Sequence, residues 1–335
     1  IRRTGVPFRA FQEEKAEASH ASLSSSEQTL YGMNMERLLA LYNTASPSGR
    51  EGSIARLIMA ELDIMGVRHK RDRMGNIYAV KGQAETYPCV VAHMDEVHNR
   101  RTGSYSAHIV AGSIIVGYDH RKKRVTGIGA DDKNGVWMCL ECLRDFKVMK
   151  CAFFVQEETG CKGSGAADMG FFTDCRFVVE CDRKGDSDMV TDINGTSLCS
   201  RDFITKAQLR KHGYKTTHGL FTDVYALKRK GLGVSCVNLS CGYYEPHTDH
   251  EYTVIADLLK CQCLVKHIIR THKTVSRHEH KEHGFQSVSH WDDFDDCNGY
   301  GWLYPHLLGR REYGARMLES TTNNDKTRHK GRTEK

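Results

Sequence analysis

The chain has 335 residues, 39% hydrophobic and 27% charged, with a mean hydropathy of -0.53, which allows one large or two modest domains with an ordinary core. No run approaches the roughly 18 apolar residues of a membrane span, and IRRTGVPFRAFQEEKAEASH lacks the apolar centre of a secretory signal, so a cytoplasmic protein with no membrane partner is expected. The net charge of +6 does not point to nucleic acid, because residues 309 to 335 hold eight Lys/Arg against four Asp/Glu and so carry most of the excess in a polar tail.

Residue 1 is Ile and Met33 or Met35 offers a native start, so residues 1 to 32 read as a disordered or non-native extension. Helical periodicity begins in MERLLALY at residue 35 and returns in SIARLIMAELDIMG, GVWMCLECLRDF and ADLLKCQCLVKHIIR. Between these lie short runs rich in Val, Ile, Phe and Cys: NIYAVKG, CVVAH, CAFFVQ, CRFVVE and GVSCVNL. Strands buried on both faces read as continuous apolar runs, and these do. The predicted fold is α/β, a three-layer αβα sandwich around a mixed, mostly parallel sheet. Thirteen cysteines, an odd number with several inside apolar runs, read as reduced core thiols. The CxxC of Cys139 and Cys142 lies in a helical segment with no second pair at zinc-ribbon spacing, which favours packing over metal or redox work. Residues 276 to 335 are His-rich from His278 to His290 and then basic, a tail expected to be disordered.

In a sheet of this kind, ligands gather at the carboxyl ends of the strands. CVVAHMD ends in His93 and Asp95, FFVQEETG contains Glu157 and Glu158, FVVECDRKG contains Asp182, and VNLSCGYYEPHTDHE carries His247. GIGADDKNGV adds Asp131 and Asp132. Polar residues normally follow strands, but five segments out of five that deliver His or carboxylates is a much rarer pattern. His93 and Asp95 stand at i and i+2, on one face of a strand, so one can bind a metal while the other orients it. Glu157 and Glu158 are adjacent and face opposite ways in extended backbone, which suits one ligand and one general base. A calcium loop competes for GADDKNG. With Gly135 at its sixth position, the first is Ala130, which offers no side-chain oxygen, and the twelfth, Glu141, falls inside a helical segment.

The ordered series SPSGREG, DRMGNIYAVKG, HMDEV, GIGADDKNG, EETGCKGS, ECDRKG, GLFTDV and PHTDHE resembles the co-catalytic di-zinc exopeptidases over residues 35 to 272. That group includes tripeptide aminopeptidase, aminoacylase and the glutamate carboxypeptidases. The resemblance implies two Zn2+ per chain, with Co2+ or Mn2+ as substitutes. It implies that His93 and Asp182 bind one ion, that Glu158 and His247 bind the other, and that Asp131 bridges both. Glu157 is then the general base and Asp95 the residue that orients His93. A cis peptide between Asp131 and Asp132 is implied as well, with Asp132 bracing the loop and the start of the next helix. Paired ions of this kind lower the pKa of a shared water and polarise the substrate carbonyl.

Many members insert a lid or dimerisation domain between the ligand that Asp182 matches and the final histidine. Here 64 residues separate Asp182 from His247, so a single catalytic domain without a lid is expected over residues 33 to 275. A lid histidine stabilises the oxyanion in some members. Without it, Tyr243, Tyr244 and His218 are the local donors to consider, each with a structural reading beside it. Thr222 and Asp223 match a family position near the site and carry no assigned role. The activity implied is hydrolysis of short peptides by an aminopeptidase. Two other readings stay open: an amidohydrolase of N-acyl amino acids with the same metals, and a non-catalytic basic binding protein on the same fold. No specific nucleic-acid partner is expected, and the oligomeric state is not legible.

Overall fold

The computed structural model of the chain describes residues 35–279. The extension expected over residues 1 to 32 and all but the first residues of the tail expected from 276 onward lie outside the described residues. In chain order, helix α1 spans residues 35–42 and α2 spans Gly52–Ile64. Strands β1 (Arg68–Arg71), β2 (Ile77–Lys81) and β3 (Tyr87–His93) follow. A meander of β4 (Tyr105–Val110), β5 (Ile114–Asp119) and β6 (Arg124–Thr126) leads into α3 (Ala130–Asp145) and β7 (Met149–Phe154). Next come the short helix α4 (Lys162–Gly165), β8 (Cys175–Arg183), β9 (Asp188–Ile193), β10 (Thr196–Ser197) and α5 (Arg201–Ala207). The described residues close with β11 (Lys215–Gly219), α6 (Asp223–Arg229), β12 (Cys236–Ser240), β13 (Tyr243–Tyr244), β14 (Tyr252–Val254) and α7 (Ile255–Thr271).

Nine strands form the main sheet in the order β1-β2-β7-β3-β8-β12-β9-β10, with β11 beside β9. The central four, β7, β3, β8 and β12, run parallel, and the antiparallel pairs lie outside them. This is the expected α/β sandwich with a mixed sheet. Its apolar runs are sorted by the two-residue period of a strand. Val90 and Ala92 of β3, Cys151 and Phe153 of β7 and Val179 and Cys181 of β8 pack with Ile54 and Ile58 of α2, Trp137 of α3 and Leu264 of α7. Cys89, Val91, Ala152, Phe154 and Val178 face the other way, onto Val224 and Leu227 of α6 and Phe171. Both faces are covered, so alternation disappears from the sequence.

A second sheet, order β13-β14-β5-β4 with β6 beside β5, was not anticipated. Its strands are only two to six residues long and mostly half-exposed, too weak a pattern to read from sequence. The described cysteines are free thiols, buried except Cys263. Cys139 and Cys142 lie in the core of α3. No described helix is long and apolar enough to cross a membrane. Near the last of the described residues, Ser276 and His278 are pinned by backbone bonds to Arg176, Ser235 and Gly233, and the buried ammonium of Lys228 donates to the carbonyls of Leu232, Val234 and His278.

Candidate metal centre

Because β7, β3 and β8 are parallel neighbours, their carboxyl ends lie side by side. His93, the last residue of β3, pairs in register with Phe154, three residues before Glu157, and Val91 pairs with Glu180, two before Asp182. Asp131 enters from the start of α3. His247 stands on the seven-residue loop that joins β13 to β14, in left-handed backbone at φ 63°.

Asp131 is the hinge of the geometry. Its Oδ1 lies 3.1 Å from His93 Nε2, and its Oδ2 lies 3.2 Å from His247 Nε2. His93 Nε2 is also 3.7 Å from Asp182 Oδ1 and 4.0 Å from Glu157 Oε2, while His247 Nε2 is 3.1 Å from Glu158 Oε1. The seven residues singled out from the sequence are therefore all brought together. Glu157 and Glu158 diverge, one toward each histidine, but they lie in a turn past the end of β7 rather than in the extended backbone expected, so the turn and not strand alternation separates them.

Asp95 organises the His93 side. Its Oδ1 is 3.4 Å from His93 Nδ1 and accepts the Glu157 N–H at 2.9 Å. Its Oδ2 accepts from Ser48 Oγ at 2.7 Å and the Glu158 N–H at 3.2 Å. Asp95 thus orients the imidazole, whose Nδ1 also lies 3.1 Å from the Asp95 backbone carbonyl oxygen, while its carboxylate fixes the turn that carries both glutamates.

The loop GADDKNG assigns each polar side chain a separate task. The peptide between Asp131 and Asp132 is cis. Asp132 takes the N–H of His93 at 3.2 Å on Oδ2 and that of Gly135 at 2.9 Å on Oδ1. Its carboxylate is within 4.8 Å of donor atoms of His93 and Asp182, as Asp131 is of His93 and Glu158. With both oxygens committed to backbone N–H groups, Asp132 acts as the brace. Lys133 is buried and donates to Glu96 Oε2 at 3.1 Å, and Asn134 donates to the Cys241 carbonyl at 2.9 Å. Gly129 has φ 65°, and a Cβ there would meet Glu96 Oε2 at 2.2 Å, so a side chain would be both strained and blocked.

Sequence reasoning missed Glu251. Fully buried, it accepts the N–H groups of Ile128, Gly129 and Asp131 at 2.9, 2.6 and 3.1 Å, tying the His247 loop to the Asp131 loop. An acid four residues after His247 in PHTDHE was the available signal. Glu180 was missed because it lies inside a strand run; it accepts from Thr222 Oγ1 at 2.6 Å and the N–H groups of Asp223 and Val224 at the start of α6. Thr222 Oγ1 also lies 3.5 Å from Asp182 Oδ2, and Asp223 is fully buried, its carboxyl pushed up to about 7 by burial. Of the three oxyanion candidates, Tyr243 donates to Asp182 Oδ1 at 3.1 Å, Tyr244 to Asp257 at 2.6 Å, and the exposed His218 faces Asp192. Tyr243 therefore positions a carboxylate.

The electrostatics are those of a cation site. Burial pushes Glu158 up to about 8 and Asp182 up to about 6, with Asp131 adding repulsion in both cases. Burial also raises Glu157 well above the usual carboxylate range. Burial lowers His247, yet Asp131 and Glu158 overcome this and raise it to about 11. Against burial, the two histidines hold Asp131 low. Among the described residues no Lys or Arg pairs with Asp131, Glu157, Glu158 or Asp182, so this buried negative charge fits divalent cations held by nitrogen and oxygen donors.

Comparison with known proteins agrees with this reading. The family described as M42 glutamyl aminopeptidase matches residues 113–264. No curated protein sequence matches the chain. The fold is similar to that of aminopeptidase PepT from Bacillus cereus, at 15% identity and a TM-score of 0.56 over 72% of this chain and 98% of that one. It is similar to a tripeptidase from Staphylococcus aureus at 16% identity and a TM-score of 0.57, over 71% and 97% of the two chains. A third likeness is to the TET1 peptidase of Pyrococcus horikoshii, at 17% identity and a TM-score of 0.54 over 70% and 99%. At such identities the structural likeness is one of fold. Joined to the family match, which covers less than half of the chain, and to the histidine–carboxylate cluster, it makes this chain similar to metal-dependent aminopeptidases.

Proposed function

We propose that the chain binds two zinc ions and removes residues from the amino end of short peptides. His93 and Asp182 would hold one ion and Glu158 and His247 the other, with one oxygen of Asp131 to each. The single observation that carries this is the split of Asp131, whose two carboxylate oxygens face two different histidines at 3.1 and 3.2 Å. When bound, the zinc pair supplies a Lewis acid for the scissile carbonyl and lowers the pKa of the attacking water. Glu157 Oε2 accepts the water's proton and passes it to the departing amine. Asp95 holds His93 in one orientation through Nδ1, leaving Nε2 as the donor. Tyr243 holds Asp182 in place by a hydrogen bond.

The name of the matching family, and those of PepT and the tripeptidase, support peptides with a free amino end as the substrate class. Residues 33 to 275 are taken as one catalytic domain, and the reduced, buried cysteines support a cytoplasmic location. The TET1 peptidase can assemble into a tetrahedron or a large octahedral shell, which makes self-assembly the oligomer to look for here. The test is Glu157→Gln. It should keep its metal and lose turnover of a tripeptide by roughly 100- to 10,000-fold, the range for a general base. Near-normal turnover would refute the assignment of the base, and cleavage of N-acetyl amino acids in preference to peptides would move the enzyme to the amidohydrolases.

A further inference from the structure

The carboxylate of Glu157 has one hydrogen-bond donor among the described residues, and it is a thiol. Cys161 Sγ donates to Glu157 Oε1 at 3.2 Å. The other oxygen, Oε2, is the one that faces His93 Nε2 at 4.0 Å. The turn between the two residues is tight. The N–H groups of Gly160 and Cys161 both reach the Glu157 carbonyl at 2.8 Å, and Cys161 sits in left-handed backbone at φ 49°. This geometry carries the thiol back over its own turn onto the glutamate. Only 3% of Cys161 is exposed, so water does not compete for the bond. Burial, then Glu157 itself, pushes the thiol well above its usual range and keeps its proton in place.

We propose that Cys161 is a positioning residue for Glu157: its S–H engages Oε1 and so presents Oε2 to the attacking water. The proposal rests on the reading of Glu157 as the general base. A carboxylate without this bond rotates about its last side-chain torsion, and the fraction of time Oε2 spends in line with the water falls. Binding of substrate and metal should be untouched, because Cys161 contacts neither His93, His247, Asp131, Glu158 nor Asp182 by any hydrogen bond.

The experiment compares Cys161→Ala and Cys161→Ser in the zinc-loaded full chain, with trialanine as substrate and with metal content and melting temperature recorded. A hydrogen bond to a charged group is strong enough that alanine should lower kcat by about tenfold, with KM within about twofold. Serine, which restores a donor, should stay within about threefold of the parent. If alanine does not fold, Cys161→Gly, which also lacks a donor and suits the left-handed backbone, takes its place. A donor-free variant with unchanged kcat, or a serine variant as slow as it, would overturn the proposal. Combining Cys161→Ala with Glu157→Gln separates this from the reading beneath it. If the thiol acts through Glu157, the double variant is no slower than Glu157→Gln alone. If Glu157→Gln alone keeps its turnover, the base assignment fails instead. Independent of activity, the infrared difference between parent and Cys161→Ser isolates one S–H stretch. It should shift when Glu157 is replaced by alanine, and no shift would mean the bond does not form.

Discussion

His93 ends a strand in the middle of the nine-stranded sheet and its side chain is fully buried, whereas His247 stands on a hairpin loop of the small sheet with 19% of its side chain exposed. The first is placed by regular structure: register with β7 and β8 sets its neighbours, and Asp95 sets its ring. The second is placed by a loop in left-handed backbone that a single buried carboxylate, Glu251, ties to the Asp131 loop. A metal centre can thus be half framework and half tether. The framework half should tolerate disturbance of its surroundings less often but more abruptly, and the tethered half should loosen by degrees.

The change expected to be largest removes the residue both halves share. Asp131→Ala should abolish metal binding and activity together, a loss beyond the roughly 10,000-fold that a general base alone supplies. Metal analysis after dialysis checks it, and retention of one tight ion would show that the halves are independent. Next comes the tether. Glu251→Gln keeps one acceptor where two carboxylate oxygens served three N–H groups, and outer partners of a metal site are worth about 10- to 100-fold in affinity. Calorimetric titration should then show one weakened site and one unchanged; equal weakening of both would erase the distinction drawn above. Asp132→Asn acts on the framework half. It should cost about 1–3 kcal/mol of stability, since a buried N–H of His93 or Gly135 loses its acceptor, while metal stoichiometry is retained.

The smallest effect expected is a pH dependence of the metal-free protein. Glu158 and Asp182 are raised by burial, from 4.5 to about 8 and from 3.8 to about 6, so each binds its proton more tightly folded than unfolded. That stability is complete below the unfolded pKa and is lost as pH rises through the folded one. His247, raised from 6.5 to about 11, adds loss on the alkaline side. Asp131, held low, acts in the opposite sense, but only below its ordinary value of 3.8. The melting temperature of the chelated protein should therefore fall between about pH 5 and 9, and zinc should flatten the curve. A metal-free melting temperature that rises over this range would show that the carboxylates are not what limits stability.

Much of this was legible in the chain. Apolar runs longer than an alternating strand permits announced a sheet covered on both faces, because Val90 and Val91 are buried alike on opposite sides. Ligand residue types at the ends of those runs announced the centre, because parallel strands bring their carboxyl ends to one edge. The residue types that gather at the site were therefore legible in the sequence, whereas the divergence of Glu157 and Glu158 is decided by the turn that follows β7. Tertiary structure alone decided which oxygen faces which nitrogen, that Asp131 splits between two histidines, and that Glu251, Ser48 and Cys161 support the site. Those partners are separated from what they hold by as much as 123 residues, as Glu251 is from Ile128, or by a left-handed turn, as Cys161 is from Glu157. Periodicity reports which face a side chain takes, and hydrogen bonds between distant loops have no period.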